Sequence, residues 1–163
     1  MRMFRAKQAG FTLIELMIAV AIVTIAATLA VPDFLRWYAR TQLLQGTSEI
    51  ASQLTMARMA GMNQNRSVIV TVQTLGGVVQ INAPAVSSSG VAVINNKSLP
   101  PQVTSITGSP VTVSFSSMGT RTSAGTGVQT IGLCDRYARQ YSVTILPSGK
   151  VNWSVNSSGT PCP

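Results

Sequence analysis

The chain has no histidine, and only four of its residues are acidic: Glu15, Asp33, Glu49 and Asp135. Lacking histidine, it lacks the commonest general base and metal ligand. With so few carboxylates, no two stand close enough in sequence to suggest an acid–base pair, and with no histidine there is no base for an acid to orient toward the many serines and threonines. The glycine-rich "GTRTSAGTG" has no Gly-Lys-Ser/Thr of a phosphate loop. Cys134 and Cys162 are the two cysteines and show no paired zinc spacing. These absences exclude the familiar hydrolytic, metal-dependent and nucleotide-dependent chemistries, so neither an enzyme nor a cofactor is expected.

What is present is basic and apolar. Lysine and arginine number 12 against the 4 acids. From Arg66 onward the basic residues are Arg66, Lys97, Arg121, Arg136, Arg139 and Lys150, against Asp135 alone. A positive surface of this kind attracts nucleic acid, anionic headgroups or acidic proteins, or serves only solubility.

The N-terminus is ordered like a membrane insert. Residues 1–10, "MRMFRAKQAG", carry Arg2, Arg5 and Lys7 and no acid, and no charge occurs from Leu16 to Pro32. With Phe11 to Ile14 added, about 22 residues would make roughly 33 Å of helix, enough for a bilayer core. Basic residues ahead of the span hold that end in the cytoplasm and put the remainder outside. A secretory signal fits poorly, since its apolar stretch would be shorter, free of acid and closed by a small-residue cleavage site. Glu15 is the anomaly. A carboxylate in hydrocarbon is costly and is usually paired or functional. It stands in the first turn, where the positive end of the helix dipole favours it; an interfacial acid reaching the headgroups is the bland alternative. With an export-type N-terminus, Cys134 and Cys162 read as one disulfide, two free thiols being the alternative.

The run Gly10, Phe11, Thr12, Leu13, Ile14, Glu15 behind a short basic leader resembles the processing site of type IV pilins and pseudopilins. The resemblance implies cleavage by a prepilin peptidase between Gly10 and Phe11, and methylation of the new Phe11 amine. It also implies that Glu15 pairs with the N-terminal amine of a neighbouring subunit during assembly. Pro32 matches a proline common in pilin helices, either as a flexible joint or as the boundary between membrane and soluble helix.

Beyond Asp33 the pattern becomes amphipathic. Leu43, Ile50, Leu54, Ala57 and Gly61 share one helical face, and "NQN" at 63–65 reads as a stop. One helix is expected from Phe11 to Met62. Phe34, Trp37 and Tyr38 cluster as an interfacial aromatic belt or a packing surface between subunits. Seven short strands follow, at 67–72, 78–81, 91–94, 111–115, 128–133, 141–146 and 150–155, the last two joined through "PSG". Residues 82–90 and 117–127 read as mobile loops. The expected fold is α+β, a long N-terminal helix, membrane-spanning in its first half, packed on a C-terminal antiparallel β-sheet domain. Its divisions are a leader at 1–10, an assembly helix at 11–32, an amphipathic continuation at 33–63 and a β domain at 64–163.

"LTMARMAGMNQNRSVIVTV" (54–72) and "YSVTILPSGKVNW" resemble the GspH/FimT subfamily of that superfamily. This implies a minor pilin or pseudopilin. Some FimT-like pilins take up DNA through a Gly-Arg-x-Arg motif on the last hairpin. Here the stretch is Gly149, Lys150, Val151, Asn152, so one arginine has become lysine and the other is lost. Arg136 and Arg139 beside that hairpin would have to complete a positive patch with Lys150, with Trp153 either stacking on a base or filling the core. The implied partners are other pilin subunits, the peptidase, an inner-membrane assembly platform, lipid before assembly, and DNA. The implied location is the bacterial inner membrane, crossed once, and then a periplasmic or extracellular filament. A type II secretion pseudopilin, an adhesin that ignores DNA, and a signal-anchored protein that never polymerises are the competing readings.

Overall fold

A computed structural model describes residues 10–84, 94–122 and 127–155, and the chain divides into two compact units, Met1–Trp37 and Tyr38–Pro163. Helix α1 spans Leu13–Asn63. It begins where the backbone amide of Glu15 donates to Thr12 Oγ1 at 3.3 Å, which makes Thr12 the N-cap and Glu15 the third helical residue. In the first unit the apolar side chains are exposed all round, and this is the one described helix long and apolar enough to cross a membrane. Two threonines inside this stretch do not leave their hydroxyls idle. Thr24 donates to the Val20 carbonyl and Thr28 to the Ile25 carbonyl, each at 2.7 Å, as a dry environment requires. The helix is unbroken at Pro32; the missing proline N–H leaves the Thr28 carbonyl without its usual donor.

In the second unit α1 is one-sided. Leu43, Ile50, Leu54, Ala57 and Gly61 are all buried, as the spacing predicted, and Ala39, Gly46, Thr47 and Gln53 join them. Two antiparallel sheets meet this stripe. The first has the order β3 (Ile94–Ser98), β2 (Val78–Ala83), β1 (Val68–Leu75), β5 (Val111–Phe115). The second runs β4 (Val103–Ile106), β6 (Gln129–Asp135), β7 (Gln140–Ile145), β8 (Val151–Val155). Alternation sets the faces. Val68, Val70 and Val72 enter the core with Val79, Ile81, Val113, Phe115, Ile131, Leu133, Val143 and Ile145, while Ile69, Thr71 and Gln73 do not.

Several strand expectations change. β4 was missed: "VTSI" is short, polar at its middle, and becomes a strand only by pairing with β6. The strand expected at 91–94 falls mostly outside the described residues; what is described there, "INNKS" at Ile94–Ser98, has no strand-like composition and is held at the edge by β2. β1 runs on past the expected 72 because it pairs with β2 through to Leu75, and β2 runs past 81 because Asn82 pairs with Thr71 and Ala83 with Ile94. Of the stretch expected as a loop at 117–127, residues 117–122 form a hydrogen-bonded turn, with Ser116 N donating to the Thr120 carbonyl at 2.8 Å. Residues 85–90 and 123–126 of the two expected loops lie outside the described residues. The "PSG" hairpin forms as expected, with Tyr141 opposite Val155 and Ile145 opposite Val151.

Candidate functional site

At the head of α1, Gly10 and Phe11 precede the first helical turn, and Phe11 is 84% exposed. Thr12, Leu13, Ile14 and Glu15 make the Thr-x-x-Glu pattern of a capping box, a signal present in the sequence but overlooked there. The N-cap half of it, Thr12 Oγ1 receiving the Glu15 amide, is formed. Glu15 therefore stands at the positive end of the helix dipole. An amine created at Phe11 would add a second positive charge to that end, and the carboxylate offsets both.

The basic residues expected to act together are not brought together. Arg136 and Arg139 sit in the β6–β7 turn and Lys150 in the β7–β8 turn. The whole of β7 lies between, on the order of 17 Å at the usual strand rise. Arg139 is also occupied. Its Nε donates to Asp135 Oδ2 at 3.0 Å, and Asp135 has a fully buried side chain. The other carboxylate oxygen accepts the backbone amides of Tyr137 and Arg139, each at 2.9 Å. Arg139 further lies 5.4 Å above the Tyr137 ring. Drawing Arg139 away to a phosphate would strand a buried carboxylate, at a cost of about 3–5 kcal/mol. Arg136 and Lys150 are exposed. Trp153 projects from edge strand β8 opposite Val143 and is 46% exposed, so it is not a core residue. Cys134 is buried on β6, on the face opposite to Leu133, and Cys162 lies outside the described residues.

The side chain that does bring distant elements together is Arg58, near the end of α1. Its Nε donates to the Gly119 carbonyl at 2.8 Å and its Nη2 to the Ser148 carbonyl at 3.3 Å. The 116–120 turn and the "PSG" turn are thereby clasped to the end of α1. Gly119 and Gly149 both have left-handed backbone, φ 76° and 78°, and a Cβ on Gly149 would run into the Gly119 carbonyl. Arg121, buried where Arg58 is only half-buried, donates to the Gly127 carbonyl and to Gln129 Oε1. No group of histidine, cysteine or acidic side chains among the described residues could hold a metal.

An exposed apolar helix with a capped acidic first turn, continuing into an amphipathic half packed on two antiparallel sheets, defines a type IV pilin-like subunit. Comparison with known proteins agrees. Residues 5–31 match the prokaryotic N-terminal methylation motif, and residues 46–149 match the family described as type II transport protein GspH. The chain belongs to this GspH family. Over 53 residues it is 49% identical to a fimbrial protein of Pseudomonas aeruginosa, a match covering 32% of this chain and 34% of that one. A type IV major fimbrial protein FimA of Dichelobacter nodosus is 52% identical over 44 residues, 27% of this chain and 28% of the relative. The type IV major pilin PilA of Myxococcus xanthus is 40% identical over 52 residues, 32% of this chain and 24% of its own length. These matches span about a third or less of the relatives. Among solved structures, the type IV minor pilin FimU of Pseudomonas aeruginosa superposes with a TM-score of 0.54 at 18% identity, over 76% of this chain and 97% of that one. That likeness establishes the fold. The relatives are pilins and pseudopilins, structural subunits that assemble with other pilin subunits, and this chain is not an enzyme.

Proposed function

We propose that this chain is a minor subunit of a type IV pilus-like filament, matured by cleavage between Gly10 and Phe11 and by methylation of the Phe11 amine. A prepilin peptidase makes the cut. The chain then waits in the inner membrane with its β domain outside the cytoplasm, until an assembly platform lifts α1 into a bundle of sister helices. The observation that carries this reading is the placement of Glu15, third in the helix, beside an exposed Phe11 and below an apolar surface exposed on every side. A carboxylate there is tolerable once a neighbour's ammonium meets it. Residues 11–32 form the assembly segment, 33–63 the amphipathic continuation and 64–163 the β domain, with Pro32 as the joint that lets the first segment repack.

Cys134 and Cys162 pair as a disulfide that ties down the C-terminal tail, consistent with the absence of free cysteines among the described residues. On the chain-entropy account it contributes roughly 3–4 kcal/mol. DNA uptake gains less support, because Arg139 serves Asp135 and Lys150 stands at the far end of β7.

The mass of the mature N-terminus tests the reading. A chain starting at methylated Phe11 is expected from peptidase-competent cells, and an intact Met1 there overturns the proposal. The GspH match favours a second reading, a pseudopilin of a type II secretion system, whereas the N-terminal relatives are fimbrial. A deletion strain scored for piliation, secretion and DNA uptake separates them.

A further inference from the structure

Four of the described methionines gather where α1 ends. Met56, Met59 and Met62 recur every third residue on the side of the helix away from the core and are 53%, 56% and 48% exposed. Met62 lies against Gly119, and the adjoining Met118, at the tip of the 116–120 turn, is 81% exposed. Thioethers adapt to many partners, and clustered exposed apolar side chains of this kind mark contact surfaces. Cations stand around them. Arg58 leaves the helix between Met56 and Met59, and the "PSG" turn that it holds carries exposed Lys150. Arg58 makes its described hydrogen bonds to carbonyls and not to carboxylates, and no described ion pair involves it or Lys150.

We propose that this methionine patch with its basic rim is a docking surface for a different protein subunit, one offering an apolar centre flanked by carboxylates. Charge complementarity selects the occupant. The second unit of another copy of this chain offers no unengaged carboxylate: from Tyr38 onward the acids are Glu49 and Asp135. Glu49 is bound to Lys97 at 2.6 Å and Asp135 to Arg139 at 3.0 Å. Two copies set face to face would instead oppose like charges, which costs several kcal/mol. A nucleic acid would use the cations but would leave the methionines without a purpose. The surface is therefore heterotypic, which suits a subunit that occupies a single defined place and does not repeat.

The proposal rests on the reading of the chain as a filament subunit, whose own test is the N-terminal mass, so the two can fail separately. Its test is in-cell photo-crosslinking of the full-length protein with a benzophenone amino acid at Met59, and at Ile69 on the outer face of β1 as a control. The expected result is one adduct from position 59 and none from position 69. Mass spectrometry should place the linkage in another subunit, at an apolar segment with neighbouring Asp or Glu. Lys150→Glu should lower the yield by about tenfold or more, the scale of a like-charge contact, and Met59→Ser should lower it in probe-at-Met56 cells. Adducts to a second copy of this chain, to a partner with no carboxylates at the linkage, or none at all overturn the proposal. So does salt-sensitive binding of the purified protein to double-stranded DNA that Lys150→Glu abolishes and Met59→Ser leaves intact.

Discussion

Arg58, Asp135 and Glu49 show how few ionic groups organise the second unit. Arg58 bridges sequence separations of 61 and 90 residues with one guanidinium. Hydrogen bonds from a charged donor contribute about 1.5–3 kcal/mol when buried, and partial exposure brings the sum for Arg58→Ala to roughly 2 kcal/mol. That loss should appear as a lower Tm of the full chain in detergent, followed by β-sheet circular dichroism, with Arg58→Lys recovering part of it. A wild-type Tm for Arg58→Ala would show that the clasp is incidental. Glu49 gives a pH dependence. The hydrogen bond from Lys97, then that from Gln53, holds its carboxyl below the ordinary value of 4.5 against the opposing effect of burial. The folded state thus favours the ionised form. Its contribution is complete above the unfolded value and is lost as pH falls through the lower, folded one. The pair is partly exposed, so the effect is about 1 kcal/mol or less. Lys97→Met should flatten the acid limb of the stability–pH curve, and an unchanged limb would remove Glu49 from the account.

At the scale of the element, α1 is two helices in one. Its first half owes its exposure to apolar residues on every side, and its second half owes its docking to a stripe of spacing seven, four, three and four that local sequence displays in full. Gly46 marks where that stripe comes closest to the strands: a Cβ there would sit 2.8 Å from Val103 Cγ2 and 3.2 Å from Leu99 Cδ2. Two effects oppose each other in Gly46→Ala. Helix propensity favours alanine by about 1 kcal/mol, whereas overpacking costs about 1–3 kcal/mol. Because the nearest blocking atom belongs to Val103, a buried strand residue, overpacking should win, with a net loss of about 1 kcal/mol. Trimming Val103 should relieve it, so Val103→Ala is expected to cost less in the Gly46→Ala background than alone, read from a denaturation double-mutant cycle. Additive costs would refute the clash. Gly46 could be read as a weak point in the helix, but the need for glycine could not, since it comes from a residue 57 positions away in sequence.

For the whole molecule, the decisive residue remains Glu15. Glu15→Ala should leave membrane insertion intact and impair entry into filaments, with protein accumulating in membranes and depleted from sheared pili or pseudopili. Glu15→Gln separates two roles, because it can still cap the helix but carries no charge. Assembly restored by Gln would make Glu15 a cap, and assembly lost in both variants would make it the partner of an amine.

The sequence alone determined the membrane-length helix, the N-terminal methylation motif over residues 5–31, the acid at Glu15, the buried stripe from Leu43 to Gly61 and the "PSG" hairpin. All of these are written in contiguous residues, as an unbroken apolar run, a short motif, a 3.6-residue period or a turn dipeptide, and such signals need no partner to be read. Tertiary structure alone decided that "VTSI" and "INNKS" are strands, that Arg139 belongs to Asp135, that Lys150 stands a strand's length away from it, and that Arg58 joins two distant turns. A short polar strand exists only because a neighbour completes its ladder, and a cation's availability depends on which carboxylate or carbonyl the closed chain brings within about 3 Å. The methionine patch belongs to the second class as well. Each of its residues was visible, but only folding set Met118 beside Met62 and arranged the cations around them.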